Sequence, residues 1–260
     1  MLKALLAFLL YGVMQIVCGL IVALPSLLKG GGKPSLSVLV ALSLLLSGVF
    51  TVLIVWRPLR MIRLPGAFSV PSVGWGTLLT GLLGGVACVV ATDLMGEMAD
   101  LADNTIETLV SVAATPPGVL AISVVGPLSE ELVFREGIQG CLHRSGIHPM
   151  LAILVSALLF GILHLNPAQS FFAALVGISL GILYYRTGSV WLCGLLHIMN
   201  NSLAVVEMRV LGQDALAFRL TDWVGGKAVA VVVMLLCLLL SAGLLLLFWR
   251  KTGKSGQQAC

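Results

Sequence analysis

Residues 118–142 read GVLAISVVGPLSEELVFREGIQGCL, an apolar run long enough to cross a bilayer that carries four charges within seven positions. The charged residues are Glu130, Glu131, Arg135 and Glu136. At a helical rise of 1.5 Å per residue, Glu130 lies about 18 Å from the start of the run. A charge at the centre of a membrane helix costs about 2.5–3.5 kcal/mol, so such groups normally face a protein interior or a wet cavity. The stretch therefore predicts a membrane helix with a polar, inward-facing surface.

The whole chain shares this apolar character. It has 260 residues, of which 59% are hydrophobic and 10% charged, and its mean hydropathy is +1.09. Soluble domains carry about 25% charged residues. We therefore predict an all-α fold, a polytopic integral membrane helical bundle with about eight transmembrane helices. The predicted spans are 4–28, 37–56, 73–90, 118–142, 150–165, 170–185, 190–206 and 228–249.

Lysine and arginine are distributed unevenly between the predicted loops. Nine of these residues, Lys254 among them, lie on one side, and five, including Lys29 and Lys33, lie on the other. Cytoplasmic loops are richer in such residues, so both termini are predicted to be cytoplasmic. The expected location is a bacterial cytoplasmic membrane. The net charge of +4 follows from this topology and predicts no nucleic-acid partner.

Three segments are expected along the chain. Residues 1–117 hold N-terminal transmembrane helices and an acidic outer loop, residues 118–206 form a polar core, and residues 207–260 hold an outer loop, the last span and a basic tail. The acidic loop is predicted to contain a surface helix and five carboxylates: Asp93, Glu97, Asp100, Asp103 and Glu107. A glycine-rich turn is predicted at 29–34. Glycine pairs at G-x-x-x-G spacing, Gly81 with Gly85 and Gly177 with Gly181, predict close helix packing.

Polar residues of the core fall into sets with helical spacing. Glu131 and Arg135 are four residues apart, in the order that favours a helical ion pair, whereas Glu130 points about 100° away. His164 ends the apolar run 157–163. His197 and Asn201, also four apart, share one helix face. These side chains are predicted to converge at one depth.

Such a cluster has the groups needed for hydrolysis. A carboxylate with a histidine can deprotonate water, directly or through a metal, and a second histidine with an amide can stabilise an oxyanion. Glu130, His164 and His197 would also make a three-ligand zinc site with an open position. The sequence has neither H-E-x-x-H nor G-x-S-x-G. An ion-coupled transporter also places Glu, His and Arg at mid-membrane, so both functions stay open at this point.

Three ordered motifs resemble those of the CPBP intramembrane proteases, the family of CAAX proteases and bacteriocin-processing enzymes. They are Glu130-Glu131-x-x-x-Arg135, Phe160-x-x-x-His164 and His197-x-x-x-Asn201, and the resemblance covers about 118–202. The family includes the type II CAAX prenyl endopeptidases. Glu136 intervenes where the family often has glycine, and is expected to alter the pairing around Arg135. Leu192 stands where a proline often follows the tryptophan.

The resemblance implies an intramembrane endopeptidase that cleaves a membrane-associated protein or peptide, lipidated or not. Six residues would be catalytic: Glu130 and His164 activate water, His197 and Asn201 stabilise the oxyanion, and Glu131 and Arg135 orient the site. Zinc and metal-free mechanisms are both compatible with the resemblance. The alternative functions are a non-catalytic bacteriocin-immunity or binding protein, and an ion-coupled transporter.

Overall fold

The computed structural model describes residues 2–28, 35–64 and 66–252. The described residues form ten α-helices and contain no strand. The helices are α1 (Leu2–Leu28), α2 (Leu36–Trp56), α3 (Trp75–Met98), α4 (Ile106–Ala113), α5 (Pro116–Arg144), α6 (Pro149–Leu163), α7 (Pro167–Thr187), α8 (Val190–Leu211), α9 (Leu220–Trp223) and α10 (Lys227–Lys251). The predicted all-α membrane fold is confirmed. The glycine-rich turn at 29–34, Lys29, Lys33 and Lys254 lie outside the described residues.

Seven of the described helices are long and apolar enough to span a membrane: α1, α2, α3, α5, α7, α8 and α10. The predicted span 150–165 instead corresponds to α6, which has only 15 residues. At 1.5 Å per residue it is about 22 Å long, short of the roughly 30 Å of a hydrocarbon core. Its ends are fixed locally, because Pro149 occupies the first turn and Asn166-Pro167 begins α7. This early end brings His164 to the C-cap of α6.

The acidic segment is more helical than predicted. Asp93 and Glu97, assigned above to a loop, lie in the last turns of α3, which ends only at Met98. The Glu97 carboxylate accepts the backbone N–H groups of Leu220 and Thr221 at 2.7 and 2.8 Å, so α9 stabilises this end of α3. The helix predicted within this segment is present as α4.

Glycines bring the core helices close together. The pairs α3 with α10, α6 with α7 and α1 with α2 are packed against each other. A Cβ at Gly81 would lie 2.8 Å from the Phe248 ring, and one at Gly181 would lie 2.9 Å from Ile153. Both predicted glycine faces are therefore contacts between helices. Lipid supplies no hydrophobic driving force for helix association, so membrane helices depend on such close packing at small residues.

Gly161 provides a test of this packing. A Cβ there would lie 2.6 Å from the Ser170 carbonyl oxygen and 2.9 Å from the Ala174 Cβ, both on α7. Gly161→Ala is expected to lower the free energy of unfolding by about 1–3 kcal/mol, because backbone must move. The matched control is Gly96→Ala on α3, where nothing lies within 4 Å of the added carbon. Denaturation in mixed micelles measures both variants, and equal stability would contradict the α6–α7 packing.

Candidate active site

An ion pair between Arg135 and Glu131 lies at the centre of the bundle. Arg135 Nε is 2.9 Å from Glu131 Oε2, and both side chains have no solvent exposure. Arg135 also donates to Ser156 Oγ at 3.3 Å, and its guanidinium carbon lies 5.0 Å from the centroid of the Phe160 ring. The ion pair expected from the i, i+4 spacing is therefore present. Its arginine is further held by two residues of α6.

His197 connects this pair to Glu130. Its Nδ1 donates to Glu131 Oε1 at 3.0 Å, and its Nε2 lies 3.6 Å from Glu130 Oε2. A carboxylate paired with arginine is an acceptor, so the Nδ1 proton is fixed and Nε2 is the nitrogen that faces Glu130. The result is an ordered chain of four side chains, from Arg135 through Glu131 and His197 to Glu130.

Glu130 has the most exposed side chain of these four residues. Its side chain is 18% exposed, against none for Glu131. Its Oε1 accepts a hydrogen bond from the Tyr11 hydroxyl at 3.3 Å. Sequence reasoning missed Tyr11, since it lies 119 residues away on a span with no recognisable motif.

His164 packs against the Phe160 ring, which also contacts Arg135. Its Nδ1 donates to the Phe160 carbonyl at 2.9 Å, which leaves Nε2 without that restraint. The Phe160 ring contacts His164 and His197 edge-on, with centroid distances of 5.1 and 5.7 Å. Among the described residues, no hydrogen bond or ion pair joins His164 to Glu130. Phe160 therefore connects His164 to the rest of the site.

Asn201 is held by an irregular turn of α5. Its Nδ2 donates to the Ile122 carbonyl at 3.1 Å. That carbonyl lies in a π-helical turn and has no backbone donor. The Gly126 N–H, which would bond to it in an α-helix, bonds to the Ala121 carbonyl, and the next residue, Pro127, has no N–H. The sequence signal for this contact is the proline. Asn201 Oδ1 accepts from Asn200 at 3.2 Å. The Nδ2 group carries two hydrogens and uses one on Ile122, so the other remains for another acceptor.

Glu136 belongs to a different cluster, contrary to the expectation that it alters the pairing around Arg135. Its fully buried carboxylate lies 2.9 Å from Arg63 Nε and 3.6 Å from Arg144 Nη1, and it accepts from the Tyr184 hydroxyl. Glu136 follows Arg135 directly, and one residue along a helix turns the side chain by about 100°. Glu136 therefore points away from the Glu131–Arg135 pair. Glu136 thus fastens the loop 57–64 to α5 and α7.

The three residues considered as zinc ligands are not arranged as a metal site. A zinc ion needs its nitrogen and oxygen ligands at about 2.0–2.2 Å, hence close together. Among the described residues, no group of three His, Cys, Asp or Glu side chains is placed to hold a metal ion. Glu130 and His197 face each other, but among the described residues no hydrogen bond or ion pair joins the third member, His164, to either of them. The geometry is that of a polar chain in which Arg135, Glu131 and His197 are hydrogen-bonded and Glu130 lies 3.6 Å from His197.

Comparison with known proteins agrees with the motifs. Residues 112–203 match the model of the type II CAAX prenyl endopeptidase Rce1-like family. These residues are therefore similar to the CPBP-family proteases, and this region is called the CPBP domain below. The CPBP domain runs from the end of α4 through most of α8 and contains the whole Arg135–Glu131–His197–Glu130 chain, but not Tyr11.

A curated relative matches over a similar extent. The chain is 32% identical over 104 residues to a Bacillus subtilis (strain 168) protein named "Putative membrane peptidase YdiL". The match covers 40% of this chain and 42% of that relative, less than half of either. No solved structure matches the chain.

Proposed function

We propose that this protein is an intramembrane endopeptidase that hydrolyses a peptide bond of a membrane-associated protein or peptide. The observation that carries the proposal is the position of Glu130, a half-buried carboxylate facing a histidine that an ion pair holds in place. The CPBP-domain match and the curated relative's name support protease activity. The proposal places the catalytic core at 118–206 and applies to lipidated and unlipidated substrates alike.

In the proposed reaction, Glu130 takes a proton from a water molecule that Nε2 of His164 also holds. The resulting hydroxide attacks the carbonyl carbon of the scissile bond. His197, in its protonated form, and the remaining amide hydrogen of Asn201 donate to the oxyanion. The C–N bond then breaks as Glu130 returns its proton to the leaving nitrogen, so that water and one peptide bond become a carboxylic acid and an amine.

The ion pair would act by orienting this machinery. Glu131 fixes the Nδ1 proton of His197 and Arg135 fixes Glu131, so Nε2 keeps its direction during the reaction. Because the three proposed zinc ligands do not fit a metal in this arrangement, the steps use only side chains and water. We further propose a bacterial cytoplasmic membrane with both termini cytoplasmic, from the lysine and arginine distribution.

His164 gives a direct test. Purified protein in lipid vesicles is incubated with a peptide library made from digested membrane proteins, and new peptide ends are identified by amine labelling. His164→Ala is expected to reduce cleavage by about 100-fold or more, since it removes one of the two groups that hold the water. The matched control is His148→Ala, an exposed histidine before α6, which should leave cleavage unchanged.

The outcomes separate the alternative functions. Cleavage by the wild type that is lost only in His164→Ala supports the protease. If folded wild-type protein produces no new peptide ends from any membrane peptide, the proposal fails and the binding or immunity function takes its place. Flux of protons or cations through the same vesicles, dependent on Glu130, would instead indicate a transporter.

A further inference from the structure

Tyr11 is a buried polar residue that the proposed reaction does not yet use. Its side chain is 3% exposed, although its helix α1 presents much apolar surface to the bilayer. A buried tyrosine hydroxyl normally needs a partner, and this one donates to Glu130 Oε1 at 3.3 Å. Tyr11 thus brings α1, which lies outside the CPBP domain, to the proposed catalytic carboxylate.

The sequence of α1 explains why this contact forms. Its buried residues Ala4, Ala7, Tyr11 and Cys18 recur on one helix face, which packs against the π-helical turns of α5. The two alanines allow a close approach of the backbones. The Tyr11 ring then lies edge-on to Phe134, at a centroid distance of 5.9 Å, and Phe134 lies edge-on to Phe160 at 5.1 Å. A continuous set of rings therefore fixes Tyr11 relative to both histidines.

The two oxygens of Glu130 face different partners. Oε1 is held by Tyr11, and Oε2 points toward His197 Nε2, from which it is 3.6 Å away. Without the hydroxyl, nothing described in the structure donates a hydrogen bond to Oε1, and the carboxylate can rotate about its last bond. Terminal rotations of glutamate are broad, so a donor on one oxygen is an effective way to orient the other.

We propose that Tyr11 is a positioning residue, whose hydroxyl orients Glu130 so that Oε2 meets the attacking water. This inference rests on the proposed function and extends it. It makes α1 part of the active site, and it predicts that the matched region 112–203 alone lacks a correctly oriented Glu130. The role requires only the phenolic oxygen, since a phenylalanine would keep the ring contacts.

Tyr11→Phe is the test, with steady-state kinetics on a peptide that the wild type cleaves. We expect kcat to fall about 10- to 100-fold, the effect of losing one hydrogen bond to a charged group, with KM within about twofold. In a Glu130→Gln background, Tyr11→Phe should change the residual rate by less than about twofold, since both changes act on one step. The matched control is Tyr184→Phe, which removes a buried tyrosine hydroxyl from Glu136, outside the site.

A second measurement is independent of cleavage. A hydrophobic carbodiimide forms an adduct on a carboxyl oxygen, and mass spectrometry gives the rate of labelling at Glu130. Tyr11→Phe should label at Glu130 several-fold faster than wild type, because Oε1 has lost its donor. Unchanged labelling overturns the inference, whether or not the wild type cleaves a peptide. Faster labelling without any cleavage refutes the proposed protease function but supports the contact by which Tyr11 positions Glu130.

The kinetic outcomes are equally decisive. An unchanged kcat in folded Tyr11→Phe overturns the inference while leaving the protease intact. Equal losses of activity and melting temperature in Tyr11→Phe and Tyr184→Phe would show a structural role only, which also overturns it. A fall in kcat confined to Tyr11→Phe, absent when Glu130 is already glutamine, supports it.

Discussion

Glu130→Gln is expected to abolish cleavage and leave the fold intact. Glutamine has nearly the same shape and keeps a carbonyl oxygen to accept the Tyr11 hydroxyl, but it cannot take a proton from water. General base catalysis contributes about 100- to 10,000-fold, so kcat should fall by at least that range. The measurement is single-turnover cleavage by purified protein in vesicles, with the melting temperature recorded in parallel.

The control for this variant is Glu207→Gln. Glu207 is also a half-buried glutamate in a membrane span, ten residues beyond His197 on α8. Its change removes a carboxylate of similar exposure without touching the polar chain, so cleavage should stay at the wild-type rate. Wild-type activity in Glu130→Gln would remove this residue from the mechanism.

Arg135→Met is expected to cause the largest loss of stability of any single change in the site. It leaves the Glu131 carboxylate, which has no solvent exposure, without its guanidinium partner. Removing one partner of a buried ion pair typically lowers the free energy of unfolding by about 3–5 kcal/mol. Denaturation in mixed micelles measures the loss. The control, Arg219→Met, breaks an exposed contact with Asp100 of 3.7 Å and should be nearly neutral.

A double variant separates stability from activity. Glu131→Gln together with Arg135→Met removes both charges, so no uncompensated ion remains and much of the lost stability should return. Cleavage should stay low, because His197 has lost the anionic acceptor that fixes its Nδ1 proton. Recovery of activity along with stability would show that the ion pair is only structural.

The sequence predicted those parts of the site that depend on local helical geometry. The Glu131–Arg135 contact follows from i, i+4 spacing, and the structure confirms it. The motif order correctly indicated the CPBP domain. The contact of Asn201 with the Ile122 carbonyl could have been anticipated from Pro127, which deprives that carbonyl of a backbone donor.

Contacts between distant helices could not be predicted in this way. Tyr11 meets Glu130, and Arg63 meets Glu136, only because α1 and the loop 57–64 dock on α5. Nothing in the local pattern of either partner specifies the other. The length of α3 was underestimated for a similar reason. The helix extends past Asp93 because Glu97 caps α9, a contact between residues 123 positions apart.

The role of Glu130 in cells can be measured by terminomics of membranes from cells that carry the wild type or Glu130→Gln at matched expression. If Glu130 activates water for peptide hydrolysis, new peptide ends in membrane proteins occur with the wild type and are absent with the variant. Such ends would also give the cleavage site. Identical sets of peptide ends, with both proteins folded in the membrane, would contradict the claim that Glu130 activates water for peptide hydrolysis.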